Sequence, residues 1–203
     1  ARSRITMTCT VQEYNGQFLL ARTGSGSGQQ RYDASEIVSV KTRQTESHEK
    51  GLRMLEDGRP DLAESAFETA LDEEPRTWVR REILALLVRS ALLQREFGRA
   101  GTRFQMLYSS DPYTRHIQLI PLIWNEEPVE GESRAAAIGW LRESEPMAQL
   151  LGASLLMFDE DHYLKARATI RELNRAPEER VRRFAWWQQW RLKIAAQNVS
   201  QFD

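Results

Sequence analysis

The sequence contains a single cysteine, Cys9, and this excludes both an intrachain disulfide and a cysteine-based metal site. Cys9 lies in an alternating apolar run, so it is predicted to be a small core residue. No run approaches the roughly 18–20 apolar residues that span a bilayer, and no membrane insertion is expected. The sequence also lacks an excess of charge of either sign. The 28 Lys and Arg residues and 29 Asp and Glu residues leave a net charge of −1, which disfavours general attraction to nucleic acid or an anionic membrane.

Motifs of catalysis and cofactor binding are also missing. The chain has no P-loop, no GxGxxG after a strand, no HExxH and no GxSxG. Its three histidines, His48, His116 and His162, are too far apart in sequence to give a metal-ligand spacing. The glycines at 24, 26 and 28 alternate with serine and precede a strand, so we interpret them as a linker and not as a phosphate loop. No catalytic residue, metal or cofactor is predicted, and the protein is predicted not to be an enzyme.

The first 43 residues have the period-two pattern of short strands. Residues 4–13 alternate apolar with polar side chains, and Asn15-Gly16 then gives a strong hairpin signal because both residues tolerate a positive φ. Further strands are predicted at 17–23, 30–33 and 36–41, with Phe18, Leu20 and Val40 facing the helices. This antiparallel meander resembles part of an Sm-like or SH3-like barrel.

From residue 44 onward the apolar period becomes helical, and residues 48–75 show the clearest pattern. They predict two short amphipathic helices joined at Gly58-Arg59-Pro60, with Gly51 in the first helix and Ala63, Phe67 and Ala70 in the second. Small residues let two helices approach closely, and the Phe ring fills the crossing. This spacing resembles the tetratricopeptide repeat of bacterial proteins, a helix-turn-helix unit of about 34 residues. The resemblance implies a solenoid that binds other proteins and performs no chemistry.

Later segments repeat the spacing less closely. Residues 100, 104 and 107 (Ala, Phe, Leu) repeat the four-then-three spacing, as do residues 166, 170 and 173 (Ala, Ile, Leu). Asp111-Pro112 is typical of a helix start, and that helix is predicted to reach Trp124. A capping box of Asp61 and Glu64 is predicted to begin the second helix of the first repeat. Helices are also predicted over 76–94, 133–143, 146–158, 162–174 and 177–196, the last acting as a terminal cap.

The predicted fold class is mainly α with a small β part (α+β). We expect an α-solenoid of about four tetratricopeptide-like hairpins plus a capping helix, preceded by the antiparallel β-meander. The predicted domains are the meander at residues 1–43 and the helical repeats at 44–198, with a tail at 199–203. A non-repeating helical bundle is the alternative.

Three groups of side chains are candidate recognition surfaces. The resemblance places His48, Leu52 and Leu55 in the groove of the first repeat, within a segment (46–75) whose net charge is −7. A cluster of tryptophans in the last helix either packs in the core or forms an interface hot spot. Arginines recur every four residues at 95, 99 and 103 and again at 167, 171 and 175, either as solvated faces or as basic rows. The tryptophan cluster of the last helix consists of Trp186, Trp187 and Trp190.

The predicted function is that of a non-enzymatic scaffold or adaptor that binds a peptide or a partner subunit. The expected partner segment has apolar anchors and basic flanks. One alternative is a nucleic-acid-associated module that uses the Sm-like strands and the arginine rows, which the balanced charge disfavours. The other is an enzyme accessory subunit, or an enzyme whose site the sequence does not reveal. Because the chain begins at Ala1, a cytoplasmic location is open, and so is a periplasmic or secreted one if Ala1 follows a cleaved signal peptide. The oligomeric state and the identity of the partner do not follow from the sequence.

Overall fold

The structure is a computed structural model that describes residues 5–24 and 28–199. In this part of the chain it has eight α-helices and a three-stranded antiparallel sheet near the N terminus, which confirms the prediction of a mainly helical chain with a small β part. None of the described helices is long and apolar enough to cross a lipid bilayer. The strands are β1 (Cys9–Tyr14), β2 (Phe18–Thr23) and β3 (Gln29–Asp33). The helices are α1 (Glu46–Glu56), α2 (Pro60–Glu73), α3 (Thr77–Leu93), α4 (Phe97–Ser110), α5 (Gly131–Trp140), α6 (Pro146–Leu156), α7 (Tyr163–Leu173) and α8 (Glu179–Val199).

The chain divides into two compact units. Unit 1 comprises Ala1–Gln94 and Met106–Leu119, and unit 2 comprises Arg95–Gln105 and Ile120–Asp203. The predicted domain boundary after residue 43 therefore falls inside unit 1, and the predicted division into domains stays a prediction. Apart from Val199, the predicted tail lies outside the described residues, as do residues 25–27 of the predicted glycine linker.

The sheet of unit 1 has strand order β1-β2-β3, and the Asn15-Gly16 turn joins its first two strands as predicted. A β-bulge between Val11 and Glu13 shifts the register, so that Tyr14, opposite Leu19, lies on the same face as Cys9 and Val11. Leu19 and Ala21 are buried on this face. The prediction that Phe18 and Leu20 face the helices is therefore wrong, because β2 is apolar on both faces and alternation alone does not choose between them.

The predicted fourth strand at 36–41 does not form. At the end of β3 the Asp33 carboxylate accepts a hydrogen bond from the Ser35 backbone N–H at 2.8 Å. This cap begins a single 3-10 turn, Ala34–Glu36, and the chain continues without strand pairing. Val40 nevertheless packs against the core of unit 1, as predicted.

The first helical hairpin of unit 1 has the predicted crossing. Ala63, Phe67 and Ala70 are fully buried where α2 packs against α1. A Cβ added to Gly51 would lie 2.5 Å from the Phe67 ring, so only glycine fits there without displacing the ring. The predicted capping box is wrong, because α2 begins at Pro60, and Glu64 is buried and accepts a hydrogen bond from the Gln94 side chain at 2.8 Å.

The predicted helix over 111–124 is also wrong. Asp111 accepts hydrogen bonds from the backbone N–H groups of Gly16 and Tyr113, at 2.8 and 3.0 Å, and so closes a turn within unit 1. A single 3-10 turn follows at Ile117–Leu119. Pro121 would break a helix through this region, because proline lacks the N–H and clashes with the preceding turn.

In unit 2, α6 is the central helix, and α5, α7 and α8 all pack against it. Nine of its eleven residues are buried, which matches a helix that is apolar all round. The predicted helices at 146–158, 162–174 and 177–196 are confirmed as α6, α7 and α8, with ends that differ by at most three residues.

Candidate functional site

The last helix of unit 2 has one face that no described element covers. Along α8, Arg183, Trp186, Trp187, Trp190, Lys193 and Ile194 are exposed, at the three- and four-residue spacing of a single helical face. The opposite face contains Val181, Phe184, Ala185 and Gln188, all of them buried. This helix is therefore anchored on one side and presents tryptophans to solvent on the other.

The exposed face of α8 forms one wall of an open groove of about 1110 Å³. The opposite wall is the segment 124–128, which we call the rim segment. We call the whole site the tryptophan groove, and its apolar lining consists of Trp124, Trp186, Trp187, Trp190 and Ile194. The four tryptophans are 39–56% exposed, although tryptophan is a residue that folding usually buries for most of its area.

Ring contacts hold the tryptophans of α8 in place. Trp186 and Trp190 meet edge to face with centroids 5.6 Å apart, and Trp187 contacts the buried Phe184 in the same way at 5.3 Å. Cations of the helix also lie over two of these rings, with the Lys193 ammonium 4.8 Å from Trp190 and the Arg183 guanidinium 5.8 Å from Trp187. The exposed rings are thus ordered by their neighbours before any ligand arrives.

A buried polar network fixes the rim segment to α6 and α8. The Ser154 hydroxyl accepts a hydrogen bond from the Ile123 backbone N–H at 3.1 Å and donates one to the Gln188 side chain at 3.2 Å. The Gln188 amide in turn donates to the Ile123 carbonyl at 3.3 Å. Ile123 and Val129, which flank the rim segment, are buried. Both ends of this wall are therefore anchored.

Arg191 completes the network at the base of the groove. Its guanidinium donates hydrogen bonds to the Ser154 carbonyl at 3.2 Å, to the Gln188 side chain at 3.0 Å and to the Asn125 carbonyl. Arg191 is only 7% exposed, and this burial lowers its pKa to about 10, against the opposing attraction of Glu126. A buried guanidinium bonded mainly to carbonyl groups is expensive, and its evident effect is to hold the rim segment against α8.

The two edges of the groove differ in charge. Glu126 and Glu127 are exposed on the rim segment, and Glu127 has an exposed ion pair with Arg95 at 2.8 Å. Exposed pairs of this kind contribute little and exchange partners readily. Lys193 lies about 200° around α8 from Arg191, the residue that reaches the rim, and so borders the groove on its other side. The groove is therefore apolar in its centre, negative on one edge and positive on the other.

The residues predicted to bind a partner belong to two different units. Trp186, Trp187 and Trp190 lie together in the tryptophan groove of unit 2. His48, in unit 1, is 3% exposed, with its ring edge-on to Phe67, and burial lowers its pKa. Leu52 and Leu55 are partly buried and pack against the core of unit 1. The binding role of these three residues stays a prediction.

Both predicted arginine rows are shorter than expected. Arg95 has a positive φ of 61° and precedes α4, and Arg175 follows the end of α7, so neither continues its helical row. Arg99 pairs with Glu96 at 3.6 Å, and Arg167 lies over the rings of Phe158 and Tyr163. The nucleic-acid alternative, which used these rows, stays an untested prediction.

One cluster has the composition of a metal site. Ligand atoms of Asp159, Asp161 and His162 lie within 4.8 Å of one another. Arg134, however, donates to both Asp159 oxygens at 2.6 and 3.2 Å and to Asp161 at 2.7 Å, and this pairing lowers the pKa of Asp159 to about 2. Asp159 also accepts the backbone N–H groups of residues 161 and 162. The guanidinium supplies the positive charge here, and the cluster closes the turn before α7.

A second charged cluster lies in unit 1. The Glu82 carboxylate is 3.1 Å from His116 Nε2 and accepts a hydrogen bond from Arg115 at 2.8 Å. Arg115 also donates to the Tyr14 hydroxyl at 3.1 Å. The enclosed space beside these groups is about 10 Å³, which is room for a single water molecule and not for a substrate. These side chains therefore connect the sheet to the segment after α4 and offer no reaction site.

The sequence did not indicate several residues of the tryptophan groove. Trp124 was predicted to end a helix, and Ile194 and Arg191 were predicted only as parts of the last helix. A usable signal was present in Ile194, which continues the spacing of Trp186 and Trp190 by four residues. Trp124 had no such signal, because its wall of the groove is formed by a segment that ends more than 50 residues before α8 begins. Comparison of the chain with protein-family models, curated proteins and solved structures finds no match.

Proposed function

We propose that this protein is a non-enzymatic adaptor whose unit 2 binds a polypeptide segment of a partner protein in the tryptophan groove. The observation that supports this most directly is the exposure of four tryptophans around one groove with ordered walls. Exposed apolar patches of this kind mark interaction sites, and tryptophan is among the residues most enriched at binding hot spots. Covering these rings would remove a large apolar area from water.

The groove also indicates the chemistry of the segment that it binds. Its centre offers indole and aliphatic surface, which favours apolar or aromatic anchors in the partner. Glu126 and Glu127 on the rim segment favour Lys or Arg beside those anchors. An apolar segment with a basic flank is the partner predicted from sequence, and we now propose that it binds at the tryptophan groove.

The resemblance to tetratricopeptide repeats belongs to this proposal as well. The close crossing of α1 and α2 at Gly51 in unit 1 supports a hairpin of that kind, whereas Gly152 in unit 2 makes its close contact with the preceding helix, α5. Such hairpins commonly serve as rigid frames for interaction surfaces. We propose a tetratricopeptide-like solenoid that presents the tryptophan groove on its last helix.

The test uses the full chain and a display library of random peptides of about 16 residues. Selection on the immobilised protein, run in parallel with a selection on a Trp186→Ala/Trp190→Ala variant, should enrich peptides that have apolar anchors and basic flanks. These peptides should bind the double variant more than tenfold more weakly, a loss of at least about 1.4 kcal/mol. Leu164→Ala is the matched control, because Leu164 is an exposed apolar residue of unit 2 that does not line the groove.

Two results would contradict the proposal. One is a selection that enriches no peptide above the background of the double variant. The other is a set of peptides that bind the double variant as tightly as the wild type, which would place the binding surface elsewhere. Unchanged circular dichroism of both variants shows that any loss of binding is local, as expected for side chains that are half exposed.

A further inference from the structure

We infer that the segment bound in the tryptophan groove is an amphipathic helix, with basic residues on the side that faces the rim segment and acidic residues on the side that faces Lys193. This inference rests on the proposed function and specifies its partner. Three features of unit 2 support it: the spacing of the exposed apolar residues, the absence of a strand from its described residues and the opposite charges on the two sides of the groove.

The exposed apolar residues of α8 form a ridge suited to another helix. Trp186, Trp190 and Ile194 follow each other at intervals of four residues and so lie in one row along the helix surface. Rows of this spacing are the ridges that insert into the grooves of a second helix. The row is about 12 Å long, or roughly two helical turns. A partner helix would therefore contact it through apolar residues at positions i, i+3, i+4 and i+7.

The groove walls explain why the segment should be helical and not extended. The wall formed by α8 is made of side chains, because the backbone groups of a helix are paired internally, and the described part of unit 2 contains no strand whose edge could pair with a peptide. An extended segment buried against the indole rings would leave many of its backbone N–H and C=O groups without partners, which is costly. A helix satisfies its own backbone groups and presents only side chains.

The charges at the two edges specify the flanks of that helix. Glu126 and Glu127 line the groove on the rim side. The Lys193 ammonium lies over the Trp190 ring, on the side of α8 turned away from Arg191 and the rim. A helix with Lys or Arg along one flank and Asp or Glu along the other matches both edges at once, and it does so in one direction only. A helix with the same charge on both flanks would meet repulsion at one edge.

The test compares two display libraries of equal amino-acid composition on the immobilised full chain. In one library apolar positions follow the helical spacing i, i+3, i+4, i+7, and in the other they alternate with polar positions as in a strand. Binders that lose affinity on Trp190→Ala, but not on the control Leu164→Ala, should come from the helical library at least tenfold more often. Their flanking positions should be basic on one side and acidic on the other, and Lys193→Glu should weaken binding of the enriched peptides at least threefold.

The failures of the two proposals are distinguishable in this experiment. Groove-dependent binders that come equally or mainly from the alternating library would overturn the helical partner and leave the proposed function standing. No groove-dependent binder from either library would overturn both. A concentration-dependent dimer in sedimentation that Trp190→Ala abolishes would identify a second copy of the chain as the occupant and also overturn this inference. Binders whose flanks carry no charge preference, unaffected by Lys193→Glu, would overturn the charge assignment.

Discussion

Replacing Gly152 with alanine should destabilise unit 2, because α5 and α6 approach each other too closely there for a side chain. A Cβ at Gly152 would lie 2.6 Å from the Ala137 carbonyl oxygen and 2.7 Å from the Leu141 nitrogen. Both atoms belong to the backbone, so no side-chain rotation relieves the contact and the helices must move apart. Overpacking of this kind costs roughly 1–3 kcal/mol. Alanine also gains about 0.5–1 kcal/mol over glycine through its helix propensity, which leaves a net loss.

The same pair of helices contains a matched control. Gly139 in α5 has no atom within 4 Å of an added Cβ, so Gly139→Ala gains the propensity without the steric cost. The free energies of unfolding of the two variants should therefore differ by the steric cost alone, roughly 1–3 kcal/mol. Urea unfolding followed by intrinsic fluorescence measures this difference selectively, because five of the six tryptophans belong to unit 2. Equal stabilisation by both substitutions would refute the close approach of α5 and α6.

Three further predictions concern other parts of the chain. Ala63→Leu should lower the free energy of unfolding by roughly 1–3 kcal/mol, because residue 63 is fully buried in the crossing of α1 and α2, and an unchanged urea midpoint would exclude that crossing. Gly16→Ala should also lower the midpoint, because its Cβ would lie 1.5 Å from the Tyr113 carbonyl oxygen, and wild-type stability would contradict this contact. The pKa of Asp159 lies below its unfolded value, so the stabilisation from Arg134 is present above about pH 4 and lost as the pH falls toward 2. Asp159→Asn should therefore cost about 1–2 kcal/mol at neutral pH, a figure reduced because the arginine is one third exposed. A stability difference from wild type that stays constant between pH 6 and pH 2 would argue against that ion pair.

Local patterns predicted the elements whose form depends on near neighbours. Gly51, Ala63 and Phe67 belong to two helices joined by a short turn, so the packing constraint is visible within about 20 residues. α6, α7 and α8 were predicted because each has a helical apolar period and a clear start, such as Pro146 at the first position of α6.

The elements that sequence reasoning missed depend on distant residues. Asp111-Pro112 resembles a helix start, yet the Asp111 carboxylate pairs with Gly16, 95 positions earlier, and closes a turn. The rim segment has no periodic sequence pattern of its own. Ser154 and Gln188 bind the backbone of Ile123 just before it, and Arg191 binds the Asn125 carbonyl within it. The tryptophans of α8 were predicted to lie either in the core or at an interface. Which face of α8 packs against the rest of unit 2 depends on tertiary structure, and this packing leaves the tryptophans exposed.

The most direct test of the account maps where a selected peptide binds. A peptide from the helical library, with a photoreactive leucine analogue at its central anchor, is irradiated with the full chain, and the crosslinked residues are identified by mass spectrometry. The account predicts crosslinks to the rim segment at 124–128 and to α8 at 186–194, and their loss in the Trp186→Ala/Trp190→Ala variant. Crosslinks that instead map to α1 around Leu52 and Leu55, and persist in that variant, would contradict the tryptophan groove as the binding site.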